Sequence, residues 1–305
     1  MKCFRRIVMS LLAVLTGTFV LQAAESVPIK VLSFNIRCEN PNDGQNNWDL
    51  RQDFAMSLMS AEDYDFIGLQ EAVVQKKAEG KSQTAYVIEH LPDYGVVYRS
   101  REVNENAGEC TPIFYRKDRW KLDSKENGTF WLSATPDVAG SNTWKGACLR
   151  VASWGRFTNK ATGKSVYFIN THFDHISETA RQNSAVLLAD FIAKRSHADE
   201  PVVLTGDFNC GETSPGIQYL SGKTVGIDGK ERTPPVRMTD TFRVVHPEEP
   251  EQGSYHGFKG TPSKQKIDYI FATPDLKVLK SELIKVHREG RYPSDHFPLH
   301  AELLW

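Results

Sequence analysis

Two short strings far apart in the chain carry side chains suited to chemistry at phosphorus: Gly206-Asp207-Phe208-Asn209 and Ser294-Asp295-His296-Phe297-Pro298. Together they bring two carboxylates, an amide and an imidazole. An Asp or Asn holds a hard cation or a water, and a His takes or gives a proton, which is what metal-assisted hydrolysis needs. Each string adjoins an apolar run. Val202-Val203-Leu204 leads into the first, and the second opens onto Leu299-His300-Ala301-Glu302-Leu303-Leu304. Layered α/β proteins place polar chemistry at such strand ends, because strands fix geometry while loops supply function.

Three further places have the same character. Asn35 ends the run Val31-Leu32-Ser33-Phe34, Glu71 ends Phe66-Ile67-Gly68-Leu69-Gln70, and strand alternation puts Asn170, His172 and Asp174 on one face. Taken singly, Asn35 reads equally as a turn amide and Glu71 as a helix-start or solvated carboxylate; their joint placement singles them out. His175 reads as a loop residue beside the others. Asp268 interrupts the apolar Ile267-Asp268-Tyr269-Ile270-Phe271. A carboxylate buried there needs a partner, and a catalytic imidazole is one answer.

The elements that must position these residues alternate irregularly. Periodicity predicts helices over 49–61 and 178–195, and a short one over 214–220 opened by Ser214-Pro215. Strands are predicted at 29–36, 64–69, 94–100, 111–116, 129–132, 149–158, 166–173, 201–205, 266–272, 276–286 and 298–305. Consecutive strands with few helices between them predict an α/β (α+β) fold: a four-layered sandwich, two mixed β-sheets face to face with helices outside. The polar segments 133–145 and 222–253 read as rim loops. Trp131, Trp144, Trp154, Tyr255, His256 and Phe258 are candidates to select the organic part of a substrate, with ordinary packing as the alternative.

Residues 1–24 show a basic start (Lys2, Arg5, Arg6), an apolar run to Leu21 and then Ala23-Ala24, the layout of a secretory signal peptide. The expectation is export to the periplasm or beyond, with 25–305 as one catalytic domain and a monomer. Three of the 37 basic residues lie in that segment, leaving 34 against 38 acidic ones, a net of −4. That balance offers long nucleic acid no basic footprint. Cys38, Cys110, Cys148 and Cys210 follow the segment; export permits disulfides, a 38–210 bridge is open to them, and free thiols are the preferred expectation. Neither zinc-type spacing nor a Gly-rich phosphate loop is present in the sequence.

In this order, Asn35, Gln70-Glu71, Asn170-Thr171-His172, Gly206-Asp207-Phe208-Asn209, Ile267-Asp268-Tyr269-Ile270-Phe271 and Ser294-Asp295-His296-Phe297-Pro298 resemble the motif set of the endonuclease/exonuclease/phosphatase superfamily. The resemblance implies Glu71 as the principal Mg2+ ligand, with Asn35 and Asp295 serving the same ion and Mn2+ as its alternative. It implies that Asp207 and Asn209 position the attacking water, that His296 is the general base oriented by Asp268, and that His172 binds the scissile phosphate. Glu109 resembles the acidic partner of that second histidine, and Arg150 a phosphate-contacting arginine; Asn170 joins them as phosphate- or substrate-binding. The implied activity is phosphate-ester hydrolysis on a small or headgroup-type substrate. A secreted nuclease and a non-catalytic binding module are the alternatives.

Overall fold

A computed structural model describes residues 26–75 and 80–305. The expected signal peptide lies outside them. The first half of the chain forms β1 (Pro28–Asn35), α1 (Trp48–Met59), β2 (Phe66–Gln70), β3 (Ala72–Val73), α2 (Gln83–His90), β4 (Tyr94–Val97), β5 (Glu109–Cys110), β6 (Ile113–Arg116) and β7 (Trp120–Trp131). Next come β8 (Val151–Asn159), β9 (Ser165–His172), α3 (Glu178–Lys194), β10 (Val202–Asp207), α4 (Pro215–Leu220), β11 (Val225–Ile227) and β12 (Lys230–Arg232). The chain closes with β13 (Thr239–Asp240), α5 (Thr241–Val245), β14 (Asp268–Ala272), β15 (Lys277–Leu283) and β16 (Leu299–Leu304).

Two six-stranded sheets result, ordered β15-β16-β1-β2-β6-β4 and β13-β14-β10-β9-β8-β7. Each has one parallel pair near its middle, β1 with β2 and β9 with β10, among antiparallel neighbours. Strands apolar on both faces need cover on both sides. Leu32, Phe34, Ile67 and Leu69 pack outward with Trp48, Met59 and Val87 of α1 and α2. Ile169, Leu204 and Phe271 pack outward with Leu188, Ile192 and Ile217 of α3 and α4. Val31, Phe66, Phe168, Val203 and Ile270 meet between the sheets. These are the four layers the sequence predicts. The helices start on side-chain caps: Asn47 accepts from Asp49 N–H, Ser82 from Ala85 N–H and Ser177 from Ala180 N–H.

The faces that meet between the sheets change character along their length. Counting in steps of two, β1 reads Val31, Ser33, Asn35, β2 reads Phe66, Gly68, Gln70, β9 reads Phe168, Asn170, His172, and β10 reads Val203, Thr205, Asp207. β14 runs the other way and reaches the same end with Asp268. One end of the seam is therefore hydrocarbon and the other ionisable, with a layer of small and amide side chains between.

Several elements differ from the prediction. The strand expected at 129–132 is the end of the twelve-residue β7, whose register shifts between Leu122 and Asn127, so its polar middle hides the alternation. Segment 222–253 is more than a rim loop: it holds the β11–β12 ribbon, β13 paired to β14, and α5, which buries Phe242. The eight-residue α2 and the β3–β5 ribbon are too short to leave a periodic signal. Among the described residues Cys38, Cys110, Cys148 and Cys210 are free. Among the described residues no helix is long and apolar enough to cross a membrane.

Gly68 stands where the sheets approach closely. A Cβ there would overlap Thr205 Oγ1 and lie 2.8 Å from Asn170 Oδ1. Gly68→Ala is expected to cost about 1–3 kcal/mol, as overpacking does. Urea unfolding reads this as a lower midpoint; an unchanged midpoint would contradict the close approach.

Candidate active site

Asn35 is the last residue of β1 and is 1% exposed, and its Nδ2 points across the seam. It donates to Glu71 Oε1 at 3.0 Å and to Asp207 Oδ2 at 2.9 Å, and lies 3.5 Å from His296 Nε2. Its Oδ1 accepts from Arg37 N–H at 2.9 Å. The amide thus turns nitrogen, not oxygen, to the carboxylates. It links the first sheet to the second as a donor, where the resemblance implies a metal ligand.

The loops after the strands are sharply bent. Arg37, Glu71 and Asn209 have φ of 58°, 61° and 51°, the left-handed region that side chains other than Gly rarely adopt. Hydrogen bonds hold them there. Cys38 N–H donates to Glu71 Oε2 at 2.8 Å and Asn209 N–H to Asp207 Oδ1 at 2.8 Å. Such conformations cluster at functional sites because the surroundings must over-determine them.

Two imidazoles enter the same space with opposite surroundings. His296, buried just before β16, puts Nδ1 2.8 Å from Asp268 Oδ2 and Nε2 3.8 Å from Asp207 Oδ2. Burial lowers its pKa, but the charge and hydrogen bond of Asp268, then the charge of Asp207, lift it well above the ordinary value. His172, the last residue of β9, accepts at Nδ1 from Arg150 Nη1 at 2.9 Å, which leaves the proton of the neutral ring on Nε2, 3.5 Å from Asp207 Oδ2. Burial and the Arg150 charge push its pKa well below the ordinary value. One ring is held as a cation beside its carboxylate, the other neutral beside its guanidinium.

The carboxylates divide likewise. Burial raises Asp207, helped by the charge of Asp268 and opposed by His296, up to about 7. Burial also acts to raise Glu71, yet the pull of His172, Cys38 N–H, His296 and Asn35 takes it well below the carboxylate range. With His172 neutral, the latter three carry that effect. Glu71, Asp207 and His296 each offer a donor atom within 4.8 Å of the others, a set able to hold a metal ion.

Not every residue singled out in the sequence arrives here. Asp295 lines the cavity, its Oδ2 3.9 Å from Arg37 Nε, yet stands apart from that three-residue group. Glu109 lines the cavity but pairs with Arg101 Nη1 at 2.9 Å; Arg150 takes the place at His172 that the resemblance gives to an acid. Asn170 is a correction. Wholly buried below the site, it donates to Leu69 O at 2.7 Å and Pro112 O at 3.0 Å and accepts from Gln70 Nε2 at 2.7 Å and Thr205 Oγ1 at 2.9 Å. It braces the floor and does not line the cavity. Asp174 turns away to accept from Ile176, Ser177 and Cys148 N–H at the start of α3.

A cavity of about 380 Å³ opens over these groups, lined also by Arg37, Arg101, Cys148, His175 and Tyr255. Arg150 Nη2 lies 3.2 Å from His175 Nδ1. Tyr255, 42% exposed, stands edge-on to His296 at 5.1 Å between ring centroids. Of the aromatic residues proposed for the rim, Tyr255 alone is in the lining, while Trp131 and His256 are buried and Trp144 and Trp154 pack on the outer core. Arg101 carries no pattern in the sequence that marks it. The nearest signal for Arg37 and His175 is their place just past a strand end.

Asp268→Asn removes the charge that sustains the His296 cation. In metal-free protein the His296 ring is expected to be protonated at neutral pH, and in the variant its pKa falls, as read by NMR titration. The sign for stability follows from linkage. A folded pKa above the unfolded value of about 6.5 stabilises fully below that value, and the contribution is lost as pH rises through the folded pKa. Metal-free Asp268→Asn should therefore lose stability relative to the parent at acid and neutral pH and converge with it in alkali. Parallel curves at every pH would refute the pairing.

The model of the Endonuclease/Exonuclease/phosphatase family matches residues 32–296. A mannosyl-6-phosphatase structure from Bacteroides thetaiotaomicron VPI-5482 is 29% identical, with a TM-score of 0.76 over 91% of this chain and 100% of its own. An exodeoxyribonuclease of Streptococcus pneumoniae serotype 4 is 24% identical over 294 residues, covering 90% of this chain and 99% of that protein. An uncharacterized protein of Acanthamoeba polyphaga mimivirus is 29% identical over 164 residues, 53% of this chain; the match spans 59% of the viral protein.

Proposed function

The chain belongs to the Endonuclease/Exonuclease/phosphatase family, and on that premise we propose that it is an exported, metal-dependent hydrolase of small phosphate esters, phosphorylated sugars foremost. One observation carries the reading: His296, held from behind by Asp268, shares a cavity of about 380 Å³ with Glu71, Asp207 and Arg150. That volume is in the range of small-ligand pockets. Its lining is polar and charged apart from Ile267, Cys148 and Tyr255, which suits a hydroxyl-rich organic group better than a stacked base. The likeness to a mannosyl-6-phosphatase supports the same choice. Export rests on the composition of residues 1–24.

The donors fit a hard divalent ion. Two carboxylates and an imidazole converge around one amide that cannot neutralise them. Glu71 and Asp207 would hold Mg2+ or Mn2+, with Asp295 close by. When bound, such an ion supplies charge neutralisation to the phosphate oxygens and to these carboxylates. With its Nε2 deprotonated and its Nδ1 held by Asp268, His296 accepts a proton at Nε2 from the attacking water. Asn209 and Asp207 orient that water. Arg150 lays its planar fork on the phosphate, and the neutral His172 it supports hydrogen-bonds there without adding charge. No covalent intermediate is required.

Nuclease activity is the rival reading, favoured by the likeness to an exodeoxyribonuclease. The net charge of −4 after residue 24 opposes it, as nucleic acid needs a basic track. Purified protein is expected to release phosphate from hexose phosphates in Mg2+ or Mn2+ and to stop in EDTA. His296→Ala and Asp207→Ala should keep the fold and lose about 10²–10⁴-fold in kcat, typical for a proton-transfer group. Nicking of supercoiled plasmid at a comparable rate would replace the proposal with the nuclease, and a near-parental rate in either variant would refute the roles.

A further inference from the structure

Arg51 on α1 is 4% exposed and lies behind the site, absent from the cavity lining. Its guanidinium donates to four main-chain carbonyls: Nη1 to Ile36 O and to Pro293 O at 2.9 Å, Nη2 to Arg37 O at 2.7 Å, and Nε to Asn46 O at 2.8 Å. Its faces are covered by Trp48 at 5.1 Å and Phe258 at 5.6 Å. A buried charge is expensive, and packing alone would be served by an apolar side chain between two rings. What an apolar side chain lacks is a rigid fork of five donors.

The carbonyls it gathers belong to the turns that carry the site. Ile36 and Arg37 lie between Asn35, whose amide bridges Glu71 and Asp207, and Cys38, whose N–H holds Glu71 Oε2. Pro293 precedes Ser294, whose hydroxyl donates to Asn35 O at 2.6 Å, and then Asp295 and His296. Two turns, whose Asn35 and Ser294 lie 259 residues apart in the chain, are thus fastened through one side chain. We propose that Arg51 is a positioning residue for the divalent ion: it locks the Asn35–Cys38 turn to the Pro293–His296 turn, so that Glu71 and Asp207 keep the spacing one ion requires, with Asp295 and His296 fixed beside them. The inference rests on the metal-dependent reading above. Outer residues of this kind typically alter metal affinity about 10–100-fold when changed.

The test titrates Mn2+ alone into metal-free protein by calorimetry, with unfolding followed in parallel. Arg51→Lys keeps the charge but cannot reach three segments with one ammonium. It is expected to fold, and to bind Mn2+ about 10–100-fold more weakly. Trp120→Phe is the control. Trp120 Nε1 donates to Asp65 Oδ1 at 2.8 Å, and β7 begins opposite Asn159, away from the site, so its loss lowers stability without touching either turn. That variant should keep Mn2+ affinity within about twofold of the parent. Equal weakening in both variants, or parental affinity in Arg51→Lys, overturns the proposal. Should Arg51→Lys not fold, the parent protein decides: Mg2+ should slow proton exchange of the Arg51 Nε–H severalfold by NMR, and an unchanged rate overturns it. A parent that binds no Mn2+ at millimolar concentration sinks the hydrolase reading itself, which the variants alone cannot do.

Discussion

Glu71, Asp207, Asp268 and Asp295 are brought to one end of a closed seam, where like charges in a poorly solvated space repel. The local architecture is organised around that repulsion. Asp268 is matched by a cationic imidazole, Asp207 by an amide and a backbone N–H, Glu71 by the same amide and another backbone N–H. The donors must come from both sheets, since neither alone presents enough of them. Hence the left-handed turns at Arg37, Glu71 and Asn209, which aim main-chain and side-chain groups that a relaxed loop would turn outward. Charge that the protein leaves unmatched is what a cation would offset in the proposed function.

The two imidazoles show how one pocket sets different protonation states. Both are buried, and burial alone would make both neutral. The carboxylate beside His296 reverses that, and the guanidinium beside His172 reinforces it. Titratable groups whose neighbours push them apart divide the acid–base work of a site. In the proposed function the positive charge offered to phosphate is that of Arg150, with His172 as its neutral neighbour.

The strand-end strings were legible because a polar residue that closes an apolar run is a local signal. Gly206-Asp207-Phe208-Asn209 and Ser294-Asp295-His296 carry it plainly, and the alternation within each strand already contains the gradient from Val31 to Asn35 or from Val203 to Asp207. Apart from Asp268 with His296, partnerships were not legible, since they join segments without any shared pattern. Asn170 has the same local look as Asn35, yet the facing segments at Leu69, Gln70 and Pro112, with Thr205 beside it, fill its hydrogen bonds. Glu109 found Arg101 within its own loop instead of a histidine. Arg51 carries no local signal beyond its place in the helix predicted over 49–61, because the carbonyls it serves are defined only once both turns have formed. In β7 the exposed polar face and register shift erased the period that reveals shorter strands.

The pairing order has a bearing on biosynthesis. β1 sits in the interior of its sheet, hydrogen-bonded on one side to β2 and on the other to β16, which leaves the ribosome after every other strand. Nascent chain can therefore make the second sheet and its helices early, but one flank of β1 stays open until Leu299–Leu304 has emerged. Premature termination upstream of that hexapeptide would expose a bare apolar strand in mid-sheet, a template for aggregation.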